Sequence, residues 1–101
     1  MLIVAGEIIT TSEEGRSRFL AAVAPVVTQT LGEAGCQTYA FSPDPTDSCL
    51  IRLYEVWDHE ASLAAHLASS HVAEWRTVQD SLPIVSRAIH KYTISDVTPL
   101  G

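Results

Sequence analysis

Basic residues are scarce in this chain. Six lysines and arginines stand against twelve aspartates and glutamates, which gives a formal net charge of -6 over 101 residues. A nucleic-acid-binding protein needs a cationic patch to neutralise phosphates, and an anionic membrane attracts the same kind of patch. The charge balance therefore argues against nucleic acid and against a membrane surface as partners.

Long apolar runs are also missing. No stretch approaches the ~20 apolar residues that a membrane-spanning helix requires. The first four residues, from Met1 to Val4, are apolar and lack the basic segment that opens a secretory signal. We therefore expect a cytoplasmic protein.

Cysteine is limited to Cys36 and Cys49. If these residues flank a hairpin that turns near Pro45, residue 36 lies opposite roughly residue 55, so the two cysteines are not cross-strand partners. We expect two free thiols. A CxxC motif, a Cys/His cluster and an HExxH motif are all absent, so the sequence predicts no metal site.

Apolar residues, by contrast, make up 47% of the chain. The length fits one domain over residues 1–101, and so small a domain hides only about two-thirds of its unfolded surface. We expect the excess apolar surface to be covered in a homodimer.

The first half of the chain predicts a strand and a helix. Leu2–Thr10 is rich in isoleucine and valine, which is typical of a strand. In Thr11–Glu14 a hydroxyl cap is followed by carboxylates that suit the positive end of a helix dipole. The helix is expected to run to about Leu31, with a kink at Pro25, whose ring removes one hydrogen bond.

The second half predicts a hairpin and a broken helix. Strands over Cys36–Ser42 and Cys49–Trp57 flank a segment of turn-forming residues. A helix over roughly Glu60–Ala68 is interrupted at Ser69-Ser70, and a second helical piece covers about His71–Ser81.

A last strand from Ile84 to about Asp96 completes the order β-α-β-β-α-β. This order predicts an α+β, ferredoxin-like fold with one antiparallel sheet and both helices on one face. The first and third strands are apolar on both sides, whereas a sheet with one solvated face alternates apolar and polar residues. We therefore expect two sheets to pack face to face as a dimeric α/β barrel.

The third strand carries candidate functional residues. If odd-numbered residues of the first and third strands face the helices, then Glu7, Leu53, Glu55 and Trp57 share one space. A carboxyl group among apolar residues has a raised pKa and can serve as a general base. Alternatively, Glu55 is held by a nearby arginine or a backbone amide.

Two histidines on the following helical segment can exchange protons near pH 7. His66 and His71 would point about 140° apart on one unbroken helix, so only the predicted break lets both reach one cavity. Leu63 and Trp75 would contribute apolar walls. Alternatively, a local hydrogen bond holds the His66 ring, and His71 caps the second helical piece.

The segment from Glu55 to Trp75 resembles the signature of the antibiotic biosynthesis monooxygenase superfamily, in particular its quinol-monooxygenase type. The resemblance rests on Glu55-x-Trp57, His66, Ser69-x-His71 and Trp75. It implies a dimer of two sheets that oxidises electron-rich aromatics with O2 and needs no metal, flavin or haem. Carried over to these positions, Trp57 shapes an aromatic pocket, His66 or His71 takes a proton, and Glu55 orients one of these groups.

Two branches of that superfamily fit less well. The haem-degrading branch has an asparagine and an axial histidine where this chain has Glu7 and about Thr77, and the anthrone-oxidising branch has an asparagine at the place of Leu53. The resemblance therefore implies a monooxygenase of a small quinol-like or polyketide aromatic. An isomerase or lyase that uses the same pocket, and a non-catalytic binding or stress-related module, remain alternatives.

Overall fold

The first strand lies near the centre of a four-stranded antiparallel sheet. The structure, a computed structural model, describes residues 1–101, and the strand order is β2-β3-β1-β4. The elements in chain order are β1 (Leu2–Thr10), α1 (Glu13–Leu31), β2 (Cys36–Pro43), β3 (Leu50–Trp57), α2 (Glu60–Leu67), α3 (Ser70–Gln79) and β4 (Ile84–Thr93). The predicted α+β, ferredoxin-like class is confirmed, with β1 and β3 as central neighbours.

The element bounds follow local signals in the sequence. The Ser12 hydroxyl accepts a hydrogen bond of 2.9 Å from the Gly15 amide and so caps α1. The helix then continues through Pro25 to Leu31. β4 ends at Thr93 and not near Asp96, so the last strand is shorter than expected. No helix combines the length and hydropathy needed to cross a bilayer.

The predicted break divides the second helix into α2 and α3. The Ser69 hydroxyl donates to the His66 carbonyl at 2.6 Å and accepts from the Val72 amide at 3.4 Å. One side chain thus serves the end of α2 and the start of α3. The chain changes direction at Ala68 and Ser69, which lie between the two helices.

The strand register decides which residues meet the helices. Leu2 lies opposite Trp57, and Val4 lies opposite Glu55. Even-numbered residues of β1 therefore share a face with odd-numbered residues of β3. The helices cover this face, because its Ile8 belongs to a buried cluster with side chains of α1 and α3.

The predictions that both thiols are free and that the two cysteines are not cross-strand partners are confirmed. Cys36 and Cys49 are both free. Cys36 lies opposite Trp57, two residues from the expected position, since the β2–β3 pairing shifts register between Cys36 and Thr38.

Candidate active site

A cavity of about 210 Å³ lies between the helix-facing side of the sheet and the helices α2 and α3. Its walls are largely apolar, and they include two groups that can exchange protons, Glu55 and His66. The other lining residues come from all four strands and both helices: Val4, Ile8, Tyr39, Phe41, Leu53, Leu67, Val72, Trp75, Arg76, Gln79 and Ile89. A cavity of ~150 Å³ holds benzene, so this one suits a single substituted aromatic ring.

Glu55 is buried in this cavity without a cationic partner. Its side chain accepts a hydrogen bond of 2.9 Å from the Trp57 indole at Oε1, and no ion pair involves it. Burial raises the pKa of Glu55 to about 7, against the opposing effect of the Trp57 hydrogen bond and with a further rise from the charge of Glu33. The alternative in which an arginine or a backbone amide holds Glu55 is not what the structure shows. Near neutral pH the group can therefore both take and give a proton.

His66 is also buried, and its Nδ1 lies 2.7 Å from Oε2 of Glu33. Burial lowers the pKa of His66, while the hydrogen bond and charge of Glu33 act in the opposite direction. A neutral ring that donates its Nδ1 hydrogen to a carboxylate has Nε2 free as a proton acceptor. The hydrogen-bond partner thus selects the tautomer that a base requires.

Each of the two groups keeps one side-chain atom that is free to accept a hydrogen bond. Oε2 of Glu55 and Nε2 of His66 have no hydrogen-bond partner within the protein. Since no buried side-chain nitrogen or oxygen lacks a partner, these two atoms must be accessible. Both residues line the cavity, so two proton acceptors face the space that a ligand would occupy.

The sequence reasoning did not identify Glu33 as a functional residue. It lies in the short loop after α1, 33 positions from His66, and no local spacing links the two. The loop is shaped by Gly35, whose φ of +83° lies in the left-handed region that favours glycine. A Cβ at Gly35 would lie 2.2 Å from Oδ1 of Asp58, so a side chain there would clash.

His71 belongs to the same group but not to the cavity wall. Its Nε2 lies 3.4 Å from the Thr30 hydroxyl and 3.6 Å from Oε1 of Glu33, and its ring centroid is 5.9 Å from that of His66. The break between α2 and α3 therefore brings both imidazoles to one carboxylate. His71 is placed to act through Glu33 and His66, and not directly on a ligand.

Glu33, His66 and His71 also offer three metal-ligand atoms within 4.8 Å of one another. Two histidines and a carboxylate are ligands that zinc and iron accept. Two ligands of one tetrahedral ion, with bonds of ~2.0–2.1 Å, lie roughly 3.3 Å apart. The 2.7 Å between Nδ1 of His66 and Oε2 of Glu33 is the length of a charge-assisted hydrogen bond. In this arrangement the two groups form a hydrogen-bonded proton relay, and a shared metal ion would require their two atoms to move apart.

The predicted wall residues separate into two groups. Leu53 and Trp75 line the cavity. Trp57 and Leu63 do not; they are buried in a cluster with Leu2. Trp57 acts on the cavity indirectly, because its indole N–H holds the Glu55 carboxyl group.

The expected position of Glu7 beside Glu55 is wrong. Glu7 lies opposite Arg52 in the β1–β3 register, and their side chains form an ion pair of 3.1 Å. Both residues therefore lie on the sheet face away from the helices. The sequence does not show which face of β1 meets the helices, because this strand is apolar on both sides.

Comparisons with known proteins identify relatives in sequence and fold. The family model described as antibiotic biosynthesis monooxygenase matches residues 1–78, which include Glu33, Glu55, His66 and His71. No curated protein matches the chain significantly.

Solved structures share the fold at low sequence identity. A Deinococcus radiodurans protein provisionally described as an antibiotic biosynthesis monooxygenase is 21% identical, with a TM-score of 0.90 over 100% of this chain and 99% of that one. A Nitrosomonas europaea protein of the same provisional description is 19% identical, with a TM-score of 0.82 over 95% and 100% of the two chains. A Mycobacterium tuberculosis protein is 20% identical, with a TM-score of 0.81 over 98% and 100%. At these identities the likeness shows the fold alone.

Proposed function

Because the chain belongs to the antibiotic biosynthesis monooxygenase family, we propose that it is a cofactor-independent monooxygenase that oxidises a single-ring hydroquinone with O2. The observation that carries the proposal is the environment of Glu55. A carboxyl group with a pKa of about 7 borders an apolar cavity of about 210 Å³. The cavity volume favours a single-ring quinol over a multi-ring polyketide.

The proposed reaction converts a hydroquinone and O2 into a hydroxyquinone and water. One oxygen atom enters the ring and the other leaves as water. Deprotonation of a phenol group makes the ring a better electron donor, and the resulting anion passes an electron to O2. The substrate supplies the electrons, so the balance requires no redox cofactor.

Two proton acceptors suit a substrate with two phenol groups. Glu55 takes one proton, since it is partly ionised near neutral pH. His66 takes the other at Nε2, and the carboxylate of Glu33 at 2.7 Å stabilises the imidazolium that forms. His71 lies near the other carboxylate oxygen of Glu33 and can pass a proton to or from that carboxylate.

The direct test is O2 consumption with hydroquinone in an oxygen electrode. We expect one O2 consumed per hydroquinone, an unchanged rate after dialysis against a chelator, and a much slower rate in His66→Ala. If His66→Ala consumes O2 as fast as the wild type, His66 is structural. If a chelator abolishes the rate and zinc or iron restores it, the three potential ligands hold a metal after all.

An isomerase or lyase is the second candidate, since two proton acceptors at one cavity also suit proton transfer between carbon atoms. Product formation under strict anaerobiosis would favour this candidate and exclude the oxygenase. The non-catalytic alternative predicts imidazole rings held by backbone carbonyls. The His66 ring is instead hydrogen-bonded to the side chain of Glu33, which does not favour this alternative.

We also propose that two copies pair through the sheet faces that the helices leave open. Tyr54 and Tyr92 are 46% and 50% exposed on this face, although both are large and largely apolar. Light scattering is expected to give the mass of a dimer, and Tyr54→Glu to reduce it to that of a monomer. A wild-type monomer at micromolar concentration would exclude this pairing.

The cytoplasmic location stays a prediction.

A further inference from the structure

Half of the basic residues of this chain form ion pairs within the protein. Arg18 pairs with Glu14, Arg52 with Glu7 and Asp44, and Lys91 with Glu60. The guanidinium group of Arg16 donates to the backbone carbonyls of Asp44, Asp47 and Leu50. Three of the six basic residues, Arg16, Arg76 and Arg87, therefore remain without a carboxylate partner, although the chain has twelve acidic residues.

Two of these three residues, Arg76 and Arg87, lie around one opening. Together with Gln79 and Asp80 they line a depression of about 380 Å³ that contains no apolar residue, which we call the vestibule. Arg76 and Gln79 also line the cavity that holds Glu55 and His66. The vestibule and the apolar cavity therefore adjoin each other at Arg76 and Gln79.

Both guanidinium groups are held in place but keep free donors. Arg76 Nη2 donates to the Leu67 carbonyl at 3.2 Å, and Arg87 Nη2 donates to the Gln79 side chain at 3.0 Å. An arginine has five N–H donors, so each side chain can still bind an oxyanion. Asp80 at the same opening supplies one negative charge, which leaves an excess of one positive charge there.

We propose that the vestibule binds an oxyanion carried by the substrate, and that the natural ligand is an aromatic acid whose ring occupies the cavity. Guanidinium groups match the planar geometry of a carboxylate. Two arginines without a carboxylate partner at one opening are unexpected in a chain of net charge -6. The position of the ring rests on the proposed function. The affinity for the anion does not, because binding can be measured without turnover.

The test compares homogentisate, a hydroquinone with an acetate arm, with its uncharged methyl ester. Binding is followed under anaerobic conditions by quenching of tryptophan fluorescence, since Trp75 lines the cavity. We expect the acid to bind about tenfold more tightly than the ester at low salt, and the difference to shrink as salt screens the charge. Arg76→Gln and Arg87→Gln should each reduce the difference, and the double variant should remove it.

Arg18→Gln is the matched control, because it removes an exposed cation on α1 that already has a carboxylate partner. It should keep the wild-type preference for the acid. Arg76→Lys retains the charge and should keep part of the preference, which separates a loss of charge from a loss of folding. Thermal melting of each variant checks that it is folded.

Equal affinities for acid and ester, no binding of either, or a preference unchanged in the double arginine variant would overturn the proposal. Competition by benzoate but not by inorganic phosphate assigns the vestibule to carboxylates, and competition by both assigns it to oxyanions in general. A preference for the acid without O2 consumption would exclude the oxygenase and keep the anion site. O2 consumption with neutral hydroquinone and no preference for the acid would support the oxygenase and exclude the anion site.

Discussion

Glu55 and Glu7 are the same residue type on the two central strands, but they lie on opposite faces of the sheet. Glu7 is half exposed and forms an ion pair with Arg52 at 3.1 Å. Glu55 lies under the helices without a cation, and burial raises its pKa to about 7. The face of the sheet, and not the residue type, therefore decides which carboxyl group can exchange a proton near neutral pH.

The largest expected contrast is in catalysis. Glu55→Gln keeps an oxygen that can accept the Trp57 hydrogen bond but removes the base, so we expect kcat/KM to fall about 100-fold or more. Glu7→Gln should change kcat/KM by no more than about twofold. Initial rates of O2 consumption measure both. Equal losses in the two variants would contradict the distinction between the faces.

The next contrast is in stability against pH. Burial raises the pKa of Glu55 from its ordinary value of 4.5 to about 7. The folded state therefore holds the proton more tightly than the unfolded state. Protonated Glu55 therefore contributes roughly 3 kcal/mol to the free energy of unfolding, relative to the ionised form. This contribution is fully present below pH 4.5 and is lost as pH rises through 7.

Urea unfolding at pH 5 and pH 8 tests this effect. Glu55→Gln should be more stable than the wild type at pH 8, where the wild type must bury a charge, and this advantage should shrink at pH 5. Glu7→Gln should follow the wild-type pH dependence. A Glu55→Gln curve parallel to that of the wild type would show that the buried carboxyl group is not the cause.

A smaller effect is expected at Glu33, which acts on the cavity only through His66. Glu33→Gln removes the charge that stabilises an imidazolium, so we expect the pKa of His66 to fall further and kcat to drop about tenfold. Titration of the histidine rings by NMR measures the first effect. Glu14→Gln, an exposed carboxylate on α1, is the control. An unchanged His66 titration would remove Glu33 from the relay.

The smallest effect is expected on the open face. The Glu7–Arg52 pair is half exposed, and such pairs contribute little. Glu7→Gln should change the free energy of unfolding by roughly 0.5 kcal/mol or less, and less still at high salt. A large loss would indicate that the Glu7–Arg52 pair lies inside the proposed interface between copies and not at its rim, where the loss of one of the two carboxylate partners of Arg52 is costly.

Local signals in the sequence were enough for most of the fold. The Ile/Val-rich β1 has the predicted bounds, and the cap at Ser12 marks the start of α1. The serines after α2 predicted the change of direction that brings His66 and His71 together. Each of these features depends on neighbours within about one helical turn, which is why the sequence predicts them.

The errors concern contacts between distant parts of the chain. The face of Glu7 depends on the register between β1 and β3, and a strand that is apolar on both sides does not specify it. Trp57 was expected at the pocket wall, but it is fully buried and holds the Glu55 carboxyl group through a hydrogen bond. Glu33 was not predicted, because the contact joins a loop to a helix 33 residues away.

Gly35 has no functional group, yet the chemistry of His66 depends on its backbone. The left-handed φ of +83° and the 2.9 Å hydrogen bond from the Asp58 amide to the Gly35 carbonyl fix the exit of the loop that carries Glu33. Any side chain at this position strains the turn and collides with Asp58. Gly35→Ala would therefore displace Glu33 and weaken His66 as a base, although residue 35 does not line the cavity. A comparison of relatives limited to ionisable residues would overlook this determinant of reactivity.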